Sequence, residues 1–227
     1  MEEIWEFTAV SMSSIPRKIT SYDMLEKLGR VRLSEHFFMR EMLYSSISDY
    51  HANTSELNIL PNYPEDPHLA VQAGTMLCQS LLEPLRAKFG HVVIRSAYRS
   101  PKVNEFGNKR DLNCSSNENS AADHIWDLRD KEGNMGACVT IQLPWFMDQN
   151  LTSNQWTSLA WWIHDNLPYH SQFYFNSNGT LNLGWRENPE RWIRSYIEPR
   201  GYLTREGMDN WSGGHSEHYS WIDEKLK

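Results

Sequence analysis

Three short stretches of this chain carry side chains able to do chemistry. The first is Val92-Val93-Ile94-Arg95-Ser96-Ala97-Tyr98-Arg99-Ser100-Pro101. Its β-branched run reads as a buried strand, and Arg99 stands where that strand ends. A guanidinium there can grip a carboxylate through two parallel hydrogen bonds, with Ser96 and Tyr98 beside it. A structural salt bridge is the competing use of the same residue. The second is Asp123-His124-Ile125-Trp126-Asp127-Leu128-Arg129-Asp130. One imidazole among carboxylates can ligate zinc or act as a general base. His124 and Asp127 stand three apart, which suits shared ligation on a turn, although a zinc site takes more than two protein groups. A histidine hydrogen-bonded within a loop is the plainer reading. The third is His215-Ser216-Glu217-His218, whose spacing is compatible with a metal but which falls in a polar tail. His164 and His170 read as packing or surface residues. Ser115 and Ser116 lack a nucleophile-elbow context, and neither GxGxxG nor GxxxxGK[ST] occurs.

These residues must be positioned by regular elements. A short helix is expected around Tyr22–Leu28, ended by Gly29. Ser34 is placed to cap a helix over Glu35–Tyr44, with Leu33 as a hydrophobic staple. Asn53–Pro67 reads as a loop. Asp66-Pro67 has the form of an N-cap and first helical residue, opening a helix from about His68 to Phe89. Leu69, Ala73, Met76, Leu77, Leu81 and Leu85 form its apolar face, Pro84 kinks it, and Gly90 stops it. Strands follow at His91–Ser96 and Ala137–Leu143. A short helix is expected at Lys102–Phe106 and a polar loop over Gly107–Asn119. Thr152 and Gln155 have capping-box spacing ahead of a helix over Trp156–Asn166. Gln172–Phe175, a turn at 176–179 and Thr180–Trp185 form a hairpin, and Trp192–Ile197 is the last strand. Helices first, then strands with one helix between them, predict an α+β fold with helices on one face of a mostly antiparallel sheet. The parts are an N-terminal extension (1–32), one domain (33–200) and a polar C-terminal tail (201–227).

A chain of 227 residues is long enough to fold on its own core without a disulfide or metal. The net charge of −7 disfavours duplex nucleic acid, which is held mainly by Lys and Arg on phosphates, so no nucleic-acid partner is expected. Cys78, Cys114 and Cys138 fit neither a zinc ribbon nor a CxxC motif, and Cys78 and Cys138 read as reduced core residues. The N-terminal MEEIWEFTAV lacks the charge and apolar pattern of a signal peptide, and no run reaches membrane-spanning length. A cytoplasmic location with no membrane partner is the expectation.

Two blocks resemble a known family. Leu33-Ser34-Glu35-His36-Phe37-Phe38-Met39-Arg40-Glu41 is similar to the LSxHFxxxE opening of D-alanyl-D-alanine carboxypeptidase-like zinc metallopeptidases. Leu82-Glu83-Pro84-Leu85-Arg86, Gly90 and Ile94 through Asn104 resemble that family's LEPLR…G…IxSGYRSPxxN. The resemblance spans roughly residues 33–192 and implies the hedgehog/DD-peptidase fold, a zinc cofactor and peptidase or amidase activity. It also implies a metal-ligating His and Asp in a block SxHxxGxAxD and a third ligand, His, on a late strand. Here His124 stands for the first His, and Gly136-Ala137-Cys138-Val139-Thr140-Ile141 is the match to GxAxDI. That puts Thr140 at the Asp position and Arg186 at the last His.

Three functions follow. The first is a zinc-dependent peptidase or amidase with an altered ligand set, His124 and Asp127 holding the metal and Arg99 the substrate. The second is a metal-free protein whose Arg99, His124 and Arg186 line a cationic pocket for a small acidic ligand or peptide, with Tyr98 and Ser96 in support. The third is a virion or assembly interaction module using the Trp-rich C-terminal half.

Overall fold

Six strands build the sheet that carries the candidate residues, in a computed structural model that describes residues 12–51, 61–149, 156–175 and 180–226. They are β1 (Val93–Ser96), β2 (Gly136–Gln142), β3 (Ser171–Tyr174), β4 (Thr180–Arg186), β5 (Trp192–Ser195) and β6 (Gly201–Thr204). Their spatial order is β1-β2-β4-β3-β5-β6. Every neighbouring pair is antiparallel except β3 with β5. The helices are α1 (Tyr22–Gly29), α2 (Met39–Met42), α3 (Ser46–His51), α4 (Pro67–Leu77), α5 (Glu83–Phe89), α6 (Pro101–Lys109), α7 (Asn117–Ser120), α8 (Pro144–Met147), α9 (Trp156–Asn166) and α10 (Ser220–Lys225). The architecture is α+β with a mostly antiparallel sheet.

Strand alternation decides which residues meet the core. Ala137, Val139 and Ile141 on β2 and Leu181, Leu183 and Trp185 on β4 join the main hydrophobic cluster, with α4 packed on both strands. Side chains one residue along point to the other face. That face therefore carries Cys138 and Thr140 on β2, opposite Gly184 and Asn182 on β4, while Gly136 pairs with Arg186.

The long helix expected over residues 68–89 is resolved into α4, a π-helical segment at Cys78–Leu82, and α5. Pro84 has no N–H, so the α-helical ladder cannot run through it. The wider turn absorbs this, the Glu83 N–H bonding back to the Cys78 carbonyl. The deformation thus lies just before the proline rather than at it.

The helix expected over Glu35–Tyr44 shrinks to α2. Ser34 does not cap it: its hydroxyl donates to Glu83 at 2.6 Å. The same carboxylate accepts from the His36 N–H and contacts His36 Nδ1, each at 2.8 Å. Glu41 instead closes the start of α2 by accepting from the Phe38 N–H at 2.9 Å. The two sequence blocks that carry the family resemblance are thus sewn together by one side chain of α5.

Two further expectations change. The stretch Gly107–Asn119 is not all loop, since Gly107 belongs to α6 and Asn117 opens α7. The tail beyond residue 200 is ordered: β6 pairs with β5, and His215, Tyr219 and Ile222 are buried. The capping pair Thr152 and Gln155 and the turn at 176–179 lie outside the described residues.

Candidate metal centre

Loop residues 121–128 lie against the start of β2, and this contact builds the site. Gly136 is required there, because a methyl group would collide with the Ala122 carbonyl oxygen. Ala122 itself is held at φ 52°, a left-handed conformation that costs a residue with a Cβ about 1 kcal/mol. The strain is offset by bonds on both sides. The Ala122 N–H donates to Leu128 O at 2.8 Å and the Cys138 N–H to Asp123 O at 2.9 Å. The Arg99 N–H donates to His124 O at 2.8 Å, and the Trp126 indole to Cys138 O at 3.0 Å. Backbone bonds therefore bring the end of the Arg99 strand, the His124 loop and β2 to one point.

At that point stand Asp123, His124 and Cys138. One carboxylate oxygen, one ring nitrogen and the sulfur lie within 4.8 Å of one another. His124 is 4% exposed and Cys138 2%. His124 Nδ1 meets the Ala97 carbonyl at 3.0 Å, which fixes it as the protonated nitrogen. Nε2, carrying the lone pair, is buried and has no hydrogen-bond partner among the described residues. A buried acceptor left unpaired costs about 1–3 kcal/mol, so this atom calls for an occupant. Burial, helped by the Arg99 charge, lowers the His124 pKa to about 4, leaving the ring neutral. Burial, then the Asp123 carboxylate, pushes the Cys138 thiol well up.

Two arginines flank the cluster, and both act electrostatically on Cys138. Arg99 is 8% exposed. Its Nη1 donates to Asn104 Oδ1 at 3.1 Å and to Cys114 Sγ at 2.8 Å. Arg186 donates from Nη2 to Ala122 O at 3.3 Å and sits 3.7 Å from Asp130. The Nε–H of each is buried and unpartnered. His170 lies near Arg186; burial, then that charge, takes its pKa to about 4.

The other sequence candidates are committed elsewhere. Asp127 accepts from the Tyr98 hydroxyl at 3.0 Å and from the Glu65 N–H at 2.7 Å, with Asp66 N–H beyond. Burial raises the Asp127 pKa more than those bonds lower it. This carboxylate staples the entry of α4 to Tyr98 and is not part of the His124 cluster. Tyr98 is fully buried, and Ser96 accepts from the Ser46 N–H at 3.2 Å. Thr140 donates to Asn182 at 2.6 Å. Cys138, two residues earlier on the same face of β2, is the β2 residue whose side-chain donor lies close to those of Asp123 and His124. Period-two alternation was the available signal, since it separates Cys138 from its apolar neighbours.

A second group, His164, Asp165 and His215, also brings three donor atoms within 4.8 Å of one another. Here the His-x-x-His spacing is split: His215 pairs with Asp165 at 2.7 Å, while His218 lies 3.6 Å from Glu217. Every ring nitrogen of this group has a partner. His164 contacts Tyr169 Oη at 2.6 Å and Trp211 O at 2.9 Å. His215 contacts Asp165 at 2.7 Å and Asn210 O at 3.0 Å.

The fold and these centres define an α+β chain with two groups of metal-competent side chains. Comparison with family models, curated proteins and solved structures finds no match. No helix of the described residues is long and apolar enough to cross a membrane.

Proposed function

We propose that this chain is a zinc-dependent hydrolase of the peptidase or amidase class, with Asp123, His124 and Cys138 holding the metal. The observation that carries the reading is the close set of Asp123, His124 and Cys138 donors in which the buried His124 Nε2 is unpartnered among the described residues. The donor set fits zinc: nitrogen, sulfur and oxygen are its usual ligands, and three protein ligands leave a fourth position open. The Ala97 carbonyl on Nδ1 is the outer contact that orients a ligating imidazole. When bound, zinc supplies Lewis-acid polarisation of an amide carbonyl and acidifies water.

The remaining residues handle charge. A thiolate and a carboxylate neutralise a divalent cation, so the charges of Arg99 and Arg186 stay available for an anionic substrate. Each has a free Nε–H to offer a carboxylate. Asn104 orients the Arg99 guanidinium through Nη1. A peptide ending in a free carboxylate is the substrate class this favours, in keeping with the resemblance to D-alanyl-D-alanine carboxypeptidase-like enzymes.

The two unpaired arginine Nε–H groups also favour a second reading, a metal-free pocket for a small acidic ligand. Metal analysis of chelator-treated protein reloaded with zinc separates the two. One equivalent at neutral pH, lost in His124→Ala and Cys138→Ser, is the expected result. It should come with release of D-alanine from a D-alanyl-D-alanine-terminated peptide, with a raised KM in Arg99→Ala. No stoichiometric zinc in the wild type would sink the metal reading. The metal-free pocket then stands only if acetate binds in an Arg99-dependent way.

A further inference from the structure

We propose that the cleft between the end of α9 and the 211–214 segment is a second ligand site, taking the carboxylate or phosphate group of a small molecule. It does not depend on the Asp123–His124–Cys138 centre. The cleft has a volume of about 400 Å³ and is bounded by His164, Asp165, Arg191, Trp211 and the run Ser212, Gly213, Gly214. Small-molecule sites are concavities of this order that place a few polar groups at chosen points.

Arg191 is the cation of this wall. No ion pair among the described residues includes it: the other charged groups named in this region pair as Arg186 with Asp130 and His215 with Asp165. Its Nε–H is buried and has no acceptor among the described residues. Its Nη2 is tied to the His164 carbonyl, and its guanidinium sits 5.5 Å from the Tyr169 ring centre. Its own carbonyl accepts from Tyr169 Oη at 3.2 Å and from Trp211 Nε1 at 3.3 Å. These contacts hold the backbone at φ 55°, a region that residues with a Cβ seldom enter. The arginine is thus clamped from both ends with donor capacity left over. A partly buried guanidinium without a counter-charge favours an anion.

The one carboxylate in the wall forms its ion pair with His215 rather than with Arg191. Asp165 accepts from the His215 N–H and Nδ1, both at 2.7 Å, and from Tyr219 Oη at 3.0 Å. Opposite, Ser212, Gly213 and Gly214 donate no backbone N–H to any described acceptor. Gly213 has φ 108°, open to glycine. Arg191 and these three residues line the same cleft.

Residue-resolved proton–nitrogen NMR tests this without interference from Arg99 and Arg186. The protein is titrated separately with sodium phosphate and sodium acetate, against sodium chloride at matched ionic strength. Saturating shifts at the Gly213 and Gly214 amides and at Arg191 Nε–H are expected. Arg191→Gln should weaken the effect roughly ten-fold or more, the cost of a lost charged hydrogen bond. Saturation by phosphate alone identifies a phosphorylated ligand, and by acetate alone a carboxylate. Shifts no larger than chloride produces, or saturating shifts that persist in Arg191→Gln, overturn the proposal. Should that variant not fold, an unmoved wild-type Arg191 Nε–H overturns it equally.

Discussion

The clusters at His124 and at His164 are built from the same kinds of side chain and differ in spare valence. In the first, His124 Nε2 meets nothing, and a thiol and a carboxylate stand within reach. In the second, all four ring nitrogens of His164 and His215 are engaged by a phenol, a carboxylate or carbonyls. His215 also stacks on Trp161 with ring centres 4.1 Å apart. A metal would have to displace hydrogen bonds in the second and displaces none at His124 Nε2 in the first. Three close donors are common to both groups; the unpartnered Nε2 of His124 is what separates them. The second cluster is a clasp that fastens the C-terminal segment to α9.

The comparison breaks most visibly with metal. His124→Ala should weaken zinc binding by about 100-fold or more, since the site's free energy comes from its few donor atoms. His215→Gln should leave zinc stoichiometry unchanged while lowering the melting temperature. Uptake that follows His215 instead of His124 reverses the assignment.

Gly136→Ala tests whether the first cluster is built by the close approach of loop and strand. It should cost about 2 kcal/mol, the scale of an overpacked contact, and weaken zinc binding as Asp123 is pushed away. Denaturant melts and metal titration read the two effects. A variant of full stability and affinity removes the positioning argument.

Asp165→Asn probes the clasp and its pH dependence. Burial alone would raise the Asp165 pKa, but hydrogen bonds from His215 and Tyr219 outweigh it and hold the group below its ordinary value. A depressed carboxylate contributes stability that is present above its unfolded pKa, near about 3.9, and lost as pH falls through the folded value. Wild type should therefore lose stability as pH falls from about 5 toward 2. The variant should be about 1–2 kcal/mol less stable at neutral pH and flatter through that window. Parallel curves would show that the carboxylate contributes nothing there.

The smallest effect is expected from Ala122→Gly. Relief of the left-handed conformation should stabilise by about 0.5–1 kcal/mol, less the added entropy of the unfolded chain. Zinc affinity should fall as the loop gains freedom. A destabilised variant would mean that the Ala122 methyl packs usefully.

Much of the fold was legible because it rests on short-range rules. The period of Leu69, Ala73, Leu77, Leu81 and Leu85 announced the α4–α5 rod, and the β-branched runs announced β1 and β2. Ser21 and Ser100 cap α1 and α6 through their own side chains, as local chemistry predicts. Ser34 misled because a carboxylate 49 residues away competes for its hydroxyl. The tail misled because its polar, Gly-rich composition hides Tyr202-Leu203-Thr204, which joins the sheet edge as β6.

For the candidate site, residue types were visible and partners were not. Arg99 and His124 could be named from residue type and position in the chain, while Arg186 entered only through the family resemblance. Asp127 stands three residues from His124, the spacing of shared ligation on a turn, yet Tyr98 and the start of α4 hold it, and the adjacent Asp123 is the carboxylate that lies close to the His124 ring and Cys138. Cys138 is buried, as its apolar neighbours Ala137 and Val139 suggested, but the pleat sets it on the opposite face of β2 from them. Local pattern sets helices, strands and the inventory of reactive groups because those depend on neighbours within a few residues. Which lone pair stays unanswered depends on atoms brought together across the sheet, and that is settled by packing.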